Sequence, residues 1–252
     1  MESLKKIVNY LDRYLNVHTV QDSCWNGLQF EGVQKVKKIL FAVDAGAETF
    51  EKAVHERAEM IVVHHGHFWS QLNPSFTGLN KKRLDILYQN NLSLYASHLP
   101  LDMHKTIGNN ARLIKITGAR IKDKFAYYEG QKISFTGVFR KPVAINTIEK
   151  QLNNSLNTTC TTLPFGNKKI RTVGVVSGSC SHTYIDEAIK LGLDLFITGE
   201  NKDVYHLSKD AAINIIFAGH HASETVGVKA LSEYVRKKLR VKTLFVDIPT
   251  GL

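Results

Sequence analysis

The sequence predicts an α/β protein with two related lobes, each containing a mixed or parallel sheet that is covered by helices. Short apolar runs rich in β-branched residues alternate with amphipathic segments along the 252 residues, a pattern typical of parallel strands connected by helices. The order strand–helix–strand–helix–strand also occurs twice, with polar residues directly after the strands. These two observations predict a first lobe over residues 1–125 and a second over residues 126–252, with the last helix and strand able to pack on the first lobe.

The first repeat follows an amphipathic N-terminal helix. Its strands are predicted at 38–44, 60–63 and 92–96, and its helices near 48–54 and 82–87. The central strand is apolar throughout and ends in His64 and His65, and the third strand leads to His98 and Asp102. Open α/β folds place their sites at the carboxyl ends of their strands. We therefore expect these four side chains near a functional site.

The second repeat has the same order of elements. Its strands are predicted at 171–176, 194–198 and 212–218, and its helices at 184–191 and around 204–207. Superposing the repeats aligns His64-His65 with Gly199-Glu200 and His98 with His220. All βαβ units resemble each other to some extent, but the coincident polar strand ends favour an internal duplication. A strand at 133–139 and a helix at 146–157 precede this repeat, and a helix at 224–239 and a strand at 243–246 follow it.

Composition describes an ordinary globular protein with a basic surface. Hydrophobic residues make up 43% of the chain, and no apolar run approaches the roughly 20 residues needed to cross a bilayer. The N-terminus lacks the features of a signal peptide, so a cytoplasmic location is predicted. The net charge of +10 permits binding of acidic ligands, although no basic stripe interleaved with aromatic residues indicates a single-strand binder. The three cysteines are far apart, which argues against a disulfide framework or a thiolate zinc site.

Histidine and carboxylate residues at three strand ends indicate a metal site. The candidates are His64, His65, Asp102, His220 and Glu224. His220 and Glu224 are four residues apart, so they share one face of a helix that begins near residue 221. Adjacent strand residues point to opposite faces, so the two neighbouring histidines serve one site only if the strand turns, which a following glycine would allow.

Five nitrogen and oxygen ligands exceed what one tetrahedral zinc ion needs. They suit two divalent ions with a bridging carboxylate, and such a site lowers the pKa of bound water and clamps a phosphate or carbonyl oxygen. Zinc or iron fits this ligand set first, and manganese or cobalt is also compatible. Two structural alternatives remain open: Asp102 could cap a helix or form a turn, and His64 with His65 could be buried histidines bonded to backbone carbonyls.

Segments 63–66, 97–102 and 219–224 resemble the three signature segments of the NIF-three-like family, whose bacterial members are often labelled type 2 homologues of GTP cyclohydrolase I. Segments 26–29 and 198–200 also look like landmarks of that family. The resemblance covers essentially the whole chain and implies two related α/β lobes with a dinuclear metal centre between them, in the compact form without an inserted domain. It also implies a toroidal homohexamer with the sites facing its cavity. The metal ligands implied are His64, His65, Asp102, His220 and a bridging Glu224.

The resemblance and the ligand set together predict a metal-dependent hydrolase of a nucleotide or a related phosphorylated heterocycle. His98 and Glu200 are candidates for proton transfer or for orienting a metal ligand, and His206 is a further candidate for either role. No Walker-type glycine-rich loop identifies the substrate. Two alternatives stay open: a metal-handling protein that delivers or inserts iron or another ion, and a ring-shaped nucleic-acid-binding or regulatory protein.

Overall fold

The computed structural model describes residues 1–200 and 203–251. The chain groups into two compact units. Unit 1 comprises Met1–Leu101 and Val228–Ile248, and unit 2 comprises Asp102–Gly227 and Pro249–Leu252. This division differs from the predicted one at residues 125 and 126, because the segment after Leu101 forms a helix and a strand that pack with the second sheet.

The elements follow one another through both units. Up to residue 102 they are β1 (Glu2–Ser3), α1 (Leu4–Leu15), β2 (Gly27–Phe30), β3 (Lys35–Val36), β4 (Lys38–Asp44), α2 (Ala47–His55), β5 (Met60–His65), α3 (Gly78–Gln89), β6 (Ser93–Ala96) and α4 (Leu99–Asp102). After it come α5 (Asn109–Thr117), β7 (Arg120–Tyr128), β8 (Gln131–Ala144), α6 (Ile145–Leu156), β9 (Thr161–Pro164), β10 (Lys169–Ser179), α7 (His182–Lys190), β11 (Leu195–Glu200), α8 (Tyr205–Asp210), β12 (Asn214–Phe217), α9 (His220–Lys238) and β13 (Lys242–Phe245). None of the helices in the described residues is both long and apolar enough to cross a membrane.

Unit 1 is built on a five-stranded sheet with the order β13-β4-β5-β6-β2. Strands β13, β4, β5 and β6 are parallel, and β2 pairs with β6 in the antiparallel sense. The central β5 is buried from Met60 to His64, which explains why its sequence is an uninterrupted apolar run rather than an alternating one. Side chains of α2 and α3, including Phe50 and Leu87, pack on Ile61 and Val63 of that strand to form the core.

Unit 2 is built on a six-stranded sheet with the order β7-β8-β10-β11-β12-β9. Strands β10, β11 and β12 are parallel, whereas β7, β8 and β9 join the sheet in the antiparallel sense. Ile148 and Leu152 of α6 and Ile114 of α5 belong to the same core cluster as Val175 and Ile197 of the central strands. The predicted fold class, two related α/β lobes with sheets covered by helices, is therefore confirmed.

The two units share a detail at the amino ends of their central strands. Glu59 directly precedes β5, and its carboxylate accepts the backbone N–H groups of Lys37 at 2.9 Å and Lys38 at 2.8 Å. Asp194 directly precedes β11, and its carboxylate accepts the backbone N–H groups of Arg171 at 2.8 Å and Thr172 at 2.9 Å. In each unit an acidic side chain therefore fixes the start of the neighbouring strand.

Candidate metal centre

The carboxyl end of β5 brings two imidazoles together in unit 1. The ring centroids of His64 and His65 lie 4.7 Å apart, although the residues are adjacent in a strand. The Nδ1 atom of His64 donates to the Ser97 carbonyl oxygen at 3.0 Å, and the Nδ1 atom of His65 donates to Asp44 Oδ1 at 2.7 Å. Each ring is thus oriented by a bond at Nδ1, and Nε2 is the nitrogen through which a metal ion would be bound.

Gly66 follows these histidines for a steric reason. The φ of Gly66 is not in the left-handed region. The conformational freedom of glycine in a turn, which the sequence suggested as its role, therefore does not explain why glycine is needed here. A Cβ at this position would lie 2.3 Å from Gln29 Nε2 and 2.8 Å from the Ala96 Cβ. The Gln29 side chain needs that space, because its Oε1 accepts the His67 N–H at 2.7 Å and its Nε2 donates to the Phe68 carbonyl at 3.2 Å. Gln29 thereby fixes the loop after the histidines.

His98 completes a cluster of three imidazoles in unit 1. One ring nitrogen from each of His64, His65 and His98 lies within 4.8 Å of the others. The Nδ1 atom of His98 lies 3.0 Å and 3.1 Å from the two carboxylate oxygens of the buried Asp22. Burial by itself raises the pKa of the Asp22 carboxyl, but the hydrogen bond and charge of His98, with further donors around the carboxyl, lower that pKa below its ordinary value. Asp22 is therefore an ionised group that orients His98.

Trp69 packs beside this cluster. Its ring lies edge-on to His98 with centroids 5.0 Å apart, and 6.2 Å from the ring of His65. Its Nε1 donates to the Gly66 carbonyl oxygen at 2.8 Å, which satisfies the polar end of the side chain. Trp69 thus covers one side of the imidazoles with an apolar surface.

In unit 2, the first turn of α9 carries an imidazole and a carboxylate that face each other. His220 Nε2 lies 3.3 Å from Glu224 Oε2, and His220 Nδ1 lies 2.8 Å from Glu200 Oε1. Glu224 is buried, whereas Glu200 is partly exposed. The helix begins at His220, which places the pair on one face as the spacing predicts. The Glu200 carboxylate accepts a hydrogen bond from His220 Nδ1 and so orients this ring, which is one of the two roles predicted for it.

Asp102 is held rigidly in the same unit. Its Oδ1 accepts hydrogen bonds from Asn109 Nδ2 at 2.8 Å and from the Ser177 hydroxyl at 3.0 Å. It is the last residue of α4, whereas the cap of the following helix α5 is Gly108, so Asp102 does not cap that helix. Two buried donors fix the carboxylate, as is common for carboxylates that bind metal ions.

A glycine leaves room for the α9 pair. Strand β10 has a bulge between Val176 and Ser179, and Gly178 lies in it with a φ of +65°. A Cβ at Gly178 would lie 2.2 Å from Glu224 Oε1 and 3.2 Å from His220 Nε2. The bulge therefore presents Ser177 to Asp102 while its glycine makes space for Glu224, as bulges beside functional sites often do.

The predicted site residues divide between the units. His64, His65 and His98 cluster in unit 1, and Asp102, Glu200, His220 and Glu224 lie in unit 2. His206 lies on α8 against the ring of Tyr205. The groups that orient these residues, Asp22, Asp44, Asn109 and Ser177, were not predicted from the sequence. Asp44, the last residue of a predicted strand, and Ser177, which directly follows the strand predicted at 171–176, carried the strand-end signal that could have identified them.

Comparisons with known proteins agree along the whole chain. The model of the Duf34/NIF3 (NGG1p interacting factor 3) family matches residues 2–250. A protein of Archaeoglobus fulgidus named GTP cyclohydrolase 1 type 2 homolog is 43% identical, over 99% of this chain and 100% of its own. One of the same name from Pseudomonas aeruginosa is 35% identical over 98% of both chains. The crystal structure of TTHA1606 from Thermus thermophilus is similar with a TM-score of 0.89 and 35% identity, over 99% of this chain and 100% of that one.

Proposed function

The chain belongs to the Duf34/NIF3 family, and on that premise we propose that it holds a dinuclear metal centre and hydrolyses a nucleotide or a related phosphorylated heterocycle. One observation carries the proposal. The three histidines assigned as ligands, His64, His65 and His220, each have Nδ1 bonded to a backbone carbonyl or a carboxylate. That arrangement is characteristic of imidazoles that bind a metal ion through Nε2.

The chemistry of the donors suits two divalent ions. Unit 1 supplies imidazole nitrogens from His64 and His65, and unit 2 supplies the carboxylates of Asp102 and Glu224 with the imidazole of His220. Zinc, iron, manganese or cobalt is compatible with these nitrogen and oxygen donors. Two carboxylates would offset only half the charge of two divalent ions, so the loaded centre would attract an anionic substrate.

Bound divalent ions would supply Lewis-acid activation of water and of a phosphate or carbonyl oxygen. The chain itself supplies proton transfer. Asp22 holds the Nδ1–H of His98, so the other ring nitrogen of His98 would accept and release a proton next to His64 and His65. Trp69, packed on His98 and His65, would limit the access of water from one side.

The substrate class rests on the names of the relatives. Proteins called GTP cyclohydrolase 1 type 2 homolog match this chain over nearly its full length, which supports a purine nucleotide as the first compound to test. The test is mass-spectrometric product analysis after GTP is incubated with metal-reconstituted protein, beside a variant with both His64→Ala and Glu224→Ala. A ring-opened or formyl-released product that disappears in this variant supports the proposal. Intact GTP with a protein that holds two ions would contradict a GTP cyclohydrolase activity, and would favour the alternative of a metal-handling protein.

The ligand assignment has its own test in unit 2. Glu224→Ala should lower the metal content per chain for both ions, measured by inductively coupled plasma mass spectrometry, because Glu224 is proposed to bridge them. Gly178→Ala should do the same, since its Cβ would displace the Glu224 carboxylate. Gly192→Ala is the matched control, because Gly192 has a φ of +64° and no atom within 4 Å of its added Cβ. Unchanged metal content in Glu224→Ala would show that Glu224 is not a ligand.

We propose a homohexamer on the basis of the family resemblance. Light scattering should give a mass six times that of the 28.3 kDa chain. A mass near that of one chain would refute the hexamer without affecting the ligand assignment.

A further inference from the structure

Unit 1 has a second concave site at the amino ends of its parallel strands, whereas His64 and His65 lie at the carboxyl end of β5. A cavity of about 590 Å³ opens there. Its walls come from the start of β4, the turn after α2, the last turn of α9 and the start of β13. The volume lies within the range of about 300–1,000 Å³ typical of small-molecule sites.

The charge of this cavity is strongly positive. Six cationic side chains and two carboxylates line it, which leaves an excess of four positive charges. The cationic residues are Lys37, Lys38, Arg57, Arg236, Arg240 and Lys242, and the acidic ones are Glu56 and Glu59. Clefts lined by one sign of charge concentrate the electrostatic field and attract ions of the opposite sign.

Both carboxylates of the cavity are already engaged. Glu56 forms an ion pair of 2.8 Å with Lys38 Nζ, and Glu59 accepts the backbone N–H groups of Lys37 and Lys38. In residues 1–200 and 203–251, the side chains of the five other cationic residues form no ion pair within 4.0 Å. Within the described residues, no direct ion pair therefore neutralises these five charges, and a bound anion would reduce their mutual repulsion.

Interaction with helix dipoles explains the position of only some of these cationic side chains. Arg236 lies in the last turn of α9, where a cation is favoured by the helix dipole. Arg57 directly follows the C-cap of α2 and has the same benefit. Lys37 directly precedes β4 and Lys242 begins β13, so neither of these two lysines gains this stabilisation. Three arginines supply planar guanidinium groups, which bind phosphate oxygens through two hydrogen bonds at once.

We propose that this cavity binds a small polyphosphate anion, such as the triphosphate of a nucleotide, at a site separate from the metal ligands. The limited volume of about 590 Å³ favours a small molecule over a nucleic-acid strand, which would need an extended groove. The proposal does not depend on the hydrolase activity, because its residues lie at the opposite ends of the strands from His64 and His65.

Calorimetric titration of the metal-loaded full chain with sodium tripolyphosphate tests the proposal. Arg236→Ala combined with Lys242→Ala should weaken binding at least about tenfold. Arg57→Gly should weaken it independently, and cannot fail through backbone strain because Arg57 already has a φ of +53°. The matched control combines Lys122→Ala and Lys132→Ala, which line a different cavity of about 380 Å³ in unit 2, and should bind as the wild type does.

The metal ligands are tested separately. Tripolyphosphate binding that survives in the variant carrying both His64→Ala and Glu224→Ala supports a site distinct from the metal centre. Equal binding by the Arg236/Lys242 variant and the wild type would overturn the assignment, as would the absence of saturable binding. Binding of a single-stranded oligonucleotide of 12 nucleotides, together with no binding of tripolyphosphate, would also overturn the assignment and would favour a nucleic-acid-binding surface.

Discussion

Units 1 and 2 contain the same three parallel strands joined by helices, yet their carboxyl ends present different chemistry. The end of β5 carries His64 and His65, whereas the corresponding positions at the end of β11 are Gly199 and Glu200. The strand pairing establishes this correspondence. The last residue of β5 that pairs with β6 is Val63, opposite Ala96, and the last residue of β11 that pairs with β12 is Thr198, opposite Phe217. His64 and Gly199 are the residues that follow. Unit 1 therefore offers mainly imidazole nitrogen, and unit 2 mainly carboxylate oxygen.

The opposite ends of the same strands have kept their chemistry. Glu59 and Asp194 occupy equivalent positions, and each accepts two consecutive backbone N–H groups from the neighbouring strand. The comparison teaches that residues which fix the strands are retained in both units, while residues at the carboxyl ends have diverged. One predicted correspondence is wrong by one residue. Ala96 of β6 is equivalent to Phe217 of β12, so His98, two residues further on, is equivalent to Gly219 and not to His220.

The largest expected effect concerns Gly199, the counterpart of His64. A Cβ at Gly199 would lie 2.5 Å from the Gly178 carbonyl oxygen and 2.8 Å from the His220 Cα, and these backbone atoms cannot move aside as a side chain can. Gly199→Ala should therefore lower the free energy of unfolding by about 3 kcal/mol, measured by urea denaturation. Gly46→Ala is the control, because nothing lies within 4 Å of its added Cβ. Equal stability of the two variants would show that unit 2 tolerates a side chain where unit 1 has an imidazole.

The next effect concerns the carboxylate that orients one imidazole in each unit. Asp44 bonds His65 at 2.7 Å and Glu200 bonds His220 at 2.8 Å, and both carboxylate side chains are 42% exposed. Asp44→Asn and Glu200→Gln should each weaken metal affinity about 10- to 100-fold, because the amide stabilises the ring orientation and basicity less well. Competition with a chromophoric chelator measures this. An effect confined to one variant would mean that only that unit's imidazole depends on its carboxylate.

The same comparison shows what sequence could and could not predict. The uninterrupted apolar run of β5 and the four-residue spacing of His220 and Glu224 are local signals, so the strand and the helix face were predictable. Strand β7 was missed because its first five residues are exposed and mostly charged, so no apolar alternation marks it; its pairing with β8 also places the unit boundary earlier than predicted. Asp22 was missed because its role depends on His98, 76 residues away. Such contacts arise only from the tertiary fold.

The smallest expected effect concerns the two acidic residues that the units share. Asp194→Ala and Glu59→Ala should each lower the free energy of unfolding at pH 7 by about 1 kcal/mol, because each leaves two backbone N–H groups without their acceptor at a partly exposed site. Urea denaturation in the presence of a chelator measures this without a contribution from metal release. A loss in only one variant would show that the shared acid stabilises only one unit.

The pH dependence of the Asp194 effect follows from its pKa. Burial by itself raises that pKa, but the hydrogen bonds from the Arg171 N–H, Asn167 and Thr172 lower it below the ordinary 3.8. A carboxyl with a lowered pKa in the folded state stabilises the protein above its ordinary pKa, and this stabilisation disappears as the pH falls through the folded value. The difference between wild type and Asp194→Ala should therefore be constant between pH 5 and 7 and shrink below about pH 4. A difference that persists unchanged at lower pH would mean that the contacts of Asp194 do not depend on its charge.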